Sequence, residues 1–345
     1  MVAAINPPGV SFIIVNWNGL GLLPECLQAL EAQSFQDCEI IVVDNGSGDG
    51  SVAWLQAHCR PRWRLIFLPH NTGFGYANNV GIRESQGEWV ALINNDTVLD
   101  PDWLALTMAC AHGRPLVGMV GGMVLNYYHR EVIDNTGHLI YPDGLNRGRD
   151  RLERYHGQSG HIEEILFPSA CAALYRKTML MESGLFDESF FAYGDDTDIG
   201  LKGRLLGYVA LYCPQAIAYH KYSQTAGAYS ATKAFLVERN RLWVLVKFFP
   251  LPEILASPWY TIKRYLFQAW AAFKHQGASG RLAEAAGFPV LIKITLKSYL
   301  AAAQGLPQML QKRREINRRR RVSPRQFRLW LKRYAISARE IALKE

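Results

Sequence analysis

"CEIIVVDNGSGDGS" (Cys38 to Ser51) carries four consecutive aliphatic residues, Ile40 to Val43, and then breaks at Asp44 into glycine, asparagine, serine and aspartate. A short β-branched run bounded by turn formers reads as a buried strand ending in a loop. The flanks repeat the pattern. Upstream, "GVSFIIVNWN" (9–18) is a second such run, and "LGLLPECLQALEAQ" (20–33) has Leu23, Leu27 and Leu30 at helical spacing. Downstream come a helix in "SVAWLQAHC" (51–59), a strand and loop in "RLIFLPHNTGFG" (64–75) and a helix in "YANNVGIRESQG" (76–87). "EWVALINNDTVLD" (88–100) is a fourth strand with a polar end. Strands alternating with helices predict an α/β domain with a mostly parallel sheet, whose ligands sit beyond the carboxyl ends of the strands. Further strands are expected near 116–125, 164–175 and 208–218, the first a Gly-interrupted buried strand within "PLVGMVGGMVLNYY" (115–128).

The chain has 345 residues, 49% hydrophobic and 20% charged, enough apolar mass for a sizeable core. "MVAAINPPGVSFIIV" lacks the basic and apolar regions of a secretory signal, and no charge-free apolar run reaches the length of a spanning helix. Cysteines 26, 38, 59, 110, 171 and 213 form no CxxC pair, so neither a zinc site nor a disulfide framework is expected. Buried, reduced thiols suit a cytoplasmic protein. The formal charge of +8 is unevenly spread: residues 240–345 hold 21 Lys/Arg against 5 Asp/Glu, a net +16, leaving −8 on the rest.

Several strand ends carry candidate chemistry. Asp44 can accept hydrogen bonds from a base or ribose, or cap its own turn; Gly46 and Gly48 exclude an EF-hand, which needs oxygen ligands there. "NTGFGYANN" (71–79) lacks the third glycine of a dinucleotide fingerprint, Asn78 standing in its place. Its amides, Asn71 and Asn78, suit a sugar or a base, as do Asn16 and Asn95 at the ends of the first and fourth strands. In "LINNDT" (92–97), Asp96 can bind a hard divalent cation or cap the following helix. "FFAYGDDTDIGLKGRLLGY" (190–208) packs Asp195, Asp196 and Asp198 into four positions, more acid than a helix N-terminus needs. One of them can be a general base.

Together these segments, with "GLFDESFFAYGDD" and "AYHKYSQT", resemble glycosyltransferase family 2, in particular its rhamnosyltransferase-like bacterial members, over roughly residues 9–250. The resemblance implies a GT-A fold and an inverting single displacement assisted by Mg²⁺ or Mn²⁺. It implies that Asp44 holds the nucleotide base and that Asp96 closes the DxD-like metal motif, here "NND", with one carboxylate in place of two. Asp195–Asp196 matches the pair usually written Glu-Asp, whose second member is the base, and His220 matches a histidine that reaches the metal or diphosphate in several relatives. The expected donor is dTDP-rhamnose or a UDP-sugar, and the acceptor a glycan or lipid-linked glycan of a surface-polysaccharide pathway. A nucleotidyltransferase would need bases in the first loop, and "NWNGLG" has none. A non-catalytic membrane scaffold would not need Asp44, Asp96 and Asp196 together.

The tail, 241–345, reads as a basic helical region appended to a catalytic domain of residues 1–240. Trp259, Ile262, Leu266, Trp270 and Phe273 form one helical stripe flanked by Lys263, Arg264 and Lys274, with "KRREINRRRR" (312–321) beyond. This predicts either a helix on an anionic membrane surface or one packed on the catalytic domain. No nucleic-acid module accompanies the charge, so nucleic acid is not an expected partner. The expected location is cytoplasmic, peripheral on the inner face of the membrane.

Overall fold

The computed structural model describes residues 8–157, 160–221, 230–277, 280–281 and 287–344; the end of the "AYHKYSQT" segment, 222–225, lies outside them. The first half builds β1 (Val10–Asn16), α1 (Leu23–Glu31), β2 (Cys38–Asp44), α2 (Ser51–His58), β3 (Trp63–Phe67), α3 (Phe74–Glu84) and β4 (Trp89–Asn94). There follow β5 (Thr97–Leu99), α4 (Trp103–Ala111), β6 (Val117–Asn126), β7 (Ile133–Asn135), β8 (His138–Ile140) and β9 (Asn146–Gly148). Then come β10 (Glu163–Ile165), β11 (Ala172–Arg176), α5 (Lys177–Ser183), α6 (Asp195–Leu205) and β12 (Val209–His220).

The main sheet has the order β10-β12-β6-β11-β4-β1-β2-β3, with β5 on β12 and β7 on β6. β3, β2, β1 and β4 are parallel, and β11 runs antiparallel between β4 and β6. β1, β2 and β4 are buried on both faces and read as unbroken aliphatic runs, while β3 at the sheet edge is only partly buried. Phe12, Ile14, Ile40 and Val42 pack against α1 and α4, while Ile13, Ile41 and Val43 point to the other face and meet α3. β6 is the expected Gly-interrupted strand and is almost wholly buried.

The C-terminal helices are α7 (Ala231–Phe248), α8 (Leu251–Phe273), Phe288–Gln304, Leu306–Arg319, Pro324–Arg333 and Ala338–Leu343. A boundary at residue 240 falls inside α7, and one apolar cluster joins Ile13 and Phe167 to Trp243, Phe248, Met309 and Trp330. Pro258 lies within α8 and cannot donate to the Ile254 carbonyl; the Ser257 hydroxyl does so instead at 2.8 Å. Among the described residues no helix is long and apolar enough to cross a membrane. Five cysteines are buried as expected, but Cys59, just past the end of α2, is exposed.

Much of the basic charge serves the fold. Lys247 is buried between Asp187, at 2.5 Å, and Asp198; Lys202 lies 2.6 Å from Asp198 and Lys312 2.5 Å from Asp187. Arg264, expected to flank the apolar stripe, is buried, 2.7 Å from Asp143 and 3.1 Å from Glu238. A buried carboxylate needs such a partner, because an unpaired charge there is costly.

Candidate active site

At the carboxyl ends of β1, β2, β4 and β12 the sheet opens into a cavity of about 880 Å³. Its lining includes Trp17, Asn45 and Asn71, then Asn95, Asp96 and His220, and also His138, Asp195 and Asp196. Two close approaches shape this region. A Cβ on Gly19 would stand 2.2 Å from Asn95 Nδ2, and one on Gly73, where φ is +90°, would stand 2.5 Å from the Phe191 carbonyl oxygen.

Asp44 is fully buried and lies behind the cavity wall, accepting from Asn16 Nδ2 at 2.9 Å and from the Ser47 amide at 2.9 Å. Asn16 accepts in turn from Asn95 Nδ2 at 2.8 Å. These three residues form one chain, of which only Asn95 reaches the cavity lining. Asn78 is also buried and donates to the Phe74 carbonyl one turn back in α3. The residue beside Asp44, Asn45, faces the cavity; its Oδ1 accepts from the Thr72 amide and hydroxyl, and its Nδ2 donates to Asn71. Strand alternation turns Asp44 inward, so the next position was the available sequence signal.

Asp96 Oδ1 is buried without a hydrogen-bond partner, 3.3 Å from His220 Nε2. His220 Nδ1 lies 2.7 Å from Asp134 Oδ2, and Asp134 also pairs with Arg151. Burial disfavours a charged His220, but Asp96 and the hydrogen bond to Asp134 outweigh it and raise its pKa well above the ordinary value. That rise reports the negative potential around it. Among the described residues no group of three or more His, Cys, Asp or Glu closes around a cation by itself. An orphaned carboxylate oxygen beside an imidazole oriented by a second carboxylate nevertheless fits a hard cation whose remaining ligands come from a diphosphate. Asp134 and His138 were not singled out from sequence; they lie in an irregular stretch where periodicity carries no signal.

The three acids of α6 part company. Asp198 turns into the buried ion pairs with Lys202 and Lys247. Asp195 Oδ1 is buried without a hydrogen-bond partner, and burial, followed by the charges of Asp196 and Asp198, pushes its pKa up to about 8. Asp196 is the more open of the cavity pair, its Oδ2 3.4 Å from Nε2 of His138. That ring stacks on Phe167, and burial lowers its pKa despite Asp196 and Asp134. The turn leading into α6 has positive φ at Phe191, Tyr193 and Gly194. It is pinned by Asn240 Nδ2, which lies 3.1, 2.9 and 2.6 Å from the carbonyl oxygens of Phe190, Ala192 and Tyr193. Helix α7 therefore sets the aim of the acid pair.

The mostly parallel sheet, its cleft at the carboxyl edge and the solved structures with which it aligns are those of a GT-A fold. Solved structures agree: the mannosyltransferase PcManGT of Pyrobaculum calidifontis, in complex with GDP-Man and Mn²⁺, aligns with a TM-score of 0.53 at 20% identity over 87% of each chain. The profile of Glycosyl transferase family 2 matches residues 11–184, half of the chain, and the chain belongs to that family. The match ends before Asp195, Asp196 and His220. An N-acetylglucosaminyltransferase of Sinorhizobium fredii is 27% identical over 236 residues, 65% of this chain and 55% of its own length. The succinoglycan biosynthesis protein ExoO of Rhizobium meliloti is 35% identical over 97 residues, 28% of each chain. The chain thus spans about half or less of the length of these two curated relatives.

Proposed function

We propose that this chain is an inverting glycosyltransferase that moves a hexose from a nucleoside-diphosphate sugar to a hydroxyl of a glycan or lipid-linked glycan in surface-polysaccharide synthesis. The observation that carries the reading is that two acidic centres line one cavity, Asp196 beside His138 and Asp96 beside His220. Asp196 takes the proton of the acceptor hydroxyl as its oxygen attacks the anomeric carbon. The bond to the diphosphate oxygen breaks on the opposite face, and the configuration inverts. Asp195, holding its proton at neutral pH, spares Asp196 a second negative charge beside it. Asn45, Asn71 and Asn95 supply amides for the nucleotide and sugar, with Asn16 and Asp44 bracing them from behind; Arg147 and Arg151 bring positive charge to the cavity lining. Asp96 and His220 would hold Mg²⁺ or Mn²⁺, which when bound neutralises charge on the departing diphosphate. The rhamnosyltransferase-like motifs favour dTDP-rhamnose as donor, with a UDP-sugar second. We place the reaction in the cytoplasm, with the chain peripheral to the inner face of the membrane.

The test is a thermal-shift and donor-hydrolysis panel with dTDP, UDP and GDP and their sugars, each with and without Mn²⁺. A Mn²⁺-dependent shift by one nucleoside diphosphate, lost in Asp96→Ala, is expected. Absence of any nucleotide shift, or full hydrolysis after exhaustive chelation, would overturn the mechanism.

A further inference from the structure

Helix α8 packs Ile254, Tyr260, Phe267, Ala271 and Ala272 inward and yet leaves a second apolar stripe outside. Its inward face carries Ser257, Thr261 and Arg264, all buried, with Thr261 and Arg264 bonded to Asp143. Its outward face carries Trp259, Ile262, Leu266, Trp270 and Phe273, between 45% and 77% exposed. The stripe continues back through the equally exposed Leu255 and Leu251. The usual surface helix wets a polar face opposite its packed one, where α8 presents an apolar stripe. A second helix extends the surface: Tyr265 and Tyr299 approach to 3.4 Å between hydroxyls, and beside them Ile292, Leu296 and Leu300 of Phe288–Gln304 are also exposed. So large an apolar patch is not a feature of an isolated monomer in water.

The charges around the patch say what covers it. Lys263, Lys274, Lys293 and Lys297 stand exposed on the same two helices. Among the described residues of these helices the one carboxylate is Glu253, itself 2.5 Å from Arg328. Apolar side chains with tryptophans, rimmed by lysines and free of exposed acid, match an anionic lipid surface.

We infer that the outward faces of α8 and Phe288–Gln304 form the seat by which the molecule lies on an anionic bilayer. The seat is tied to the cavity. The loop that Arg264 and Thr261 grip at Asp143 continues into Gly144 and Leu145, which line the cavity, and Tyr141 of the same loop donates to the Tyr260 carbonyl at 3.1 Å. The proposed lipid-facing surface and the cavity lining are thus joined through one helix and one loop. Resting on the function proposed above, this arrangement selects the lipid-linked class of acceptor, whose sugar end would reach the cavity while its lipid stays in the bilayer.

The experiment is co-sedimentation of the full chain with vesicles of phosphatidylcholine, alone or with phosphatidylglycerol, at low and high salt. Wild type should bind the anionic vesicles at low salt and lose at least about tenfold in partition at high salt. The triple variant Trp259→Ser, Leu266→Ser, Phe273→Ser changes exposed side chains alone; it should lose about tenfold or more at low salt while keeping the nucleotide thermal shift of wild type. Equal sedimentation of the variant and wild type would overturn the seat. So would wild type that ignores vesicles and forms a dimer dissolved by the triple variant, since a second copy would then cover the face. Vesicle binding without any nucleotide shift would leave the seat standing and remove the transferase reading.

Discussion

Asp196 and Asp198 stand two residues apart in the first turn of α6 and meet opposite surroundings. Asp198 is wholly buried, and the Lys247 and Lys202 ammonium groups lie against its two oxygens. Asp196 opens on the cavity with a buried imidazole, not an ammonium, as its neighbour at 3.4 Å. Asp195, just before them, is buried with an oxygen that no donor reaches. The matched carboxylate ties α6 to α7 and, through Asp187 and Lys312, to the tail. The unmatched pair lines the cavity instead. Charge is neutralised where the fold needs rigidity and left uncompensated where chemistry is to occur.

Substitutions one atom in size can break this contrast. Asp196→Asn should lower transfer by about 10²–10⁴-fold while nucleotide affinity stays unchanged, since it removes a base and no nucleotide contact. Near-normal turnover would move the role to Asp195. Asp198→Asn should act on stability instead, by about 3–5 kcal/mol, because it leaves Lys247 and Lys202 buried with too little negative charge. A urea midpoint within error of wild type would show that the network is not a structural tie.

A third effect concerns Asp195 and is read from pH. Its folded pKa, about 8, lies above the unfolded value near 4, so the folded state holds a proton that the unfolded state releases. The stabilisation is full below about pH 4 and declines as pH rises towards 8. Asp195→Asn has no proton to lose, so its stability relative to wild type should climb across that window and level off above it. A difference in Tm that stays flat from pH 4 to 8 would mean that Asp195 ionises normally in the folded protein.

The α/β order was legible because each strand and helix is written locally. Ile40 to Val43 and the Gly-rich loop after them specify a strand end whatever the rest of the chain does. The position of Asp96 was legible in the same way, as the polar end of a buried run. Helical spacing likewise revealed the stripe from Trp259 to Phe273.

Orientation was not local. Whether the stripe faces in or out depends on Arg264, whose partners Asp143 and Glu238 lie 121 and 26 residues away. The division of labour among Asp195, Asp196 and Asp198 depends on Lys247, 49 residues beyond the last of them. His220 acquires its orienting carboxylate from Asp134, 86 residues earlier. The sequence by itself determined which segments are strands and helices and at which strand ends polar chemistry gathers, since backbone preference and side-chain period act between near neighbours. Only the tertiary structure decided which carboxylates are neutralised and which helix face meets the outside, because a buried charge is stabilised by whatever partner the fold brings to it, however distant in the chain.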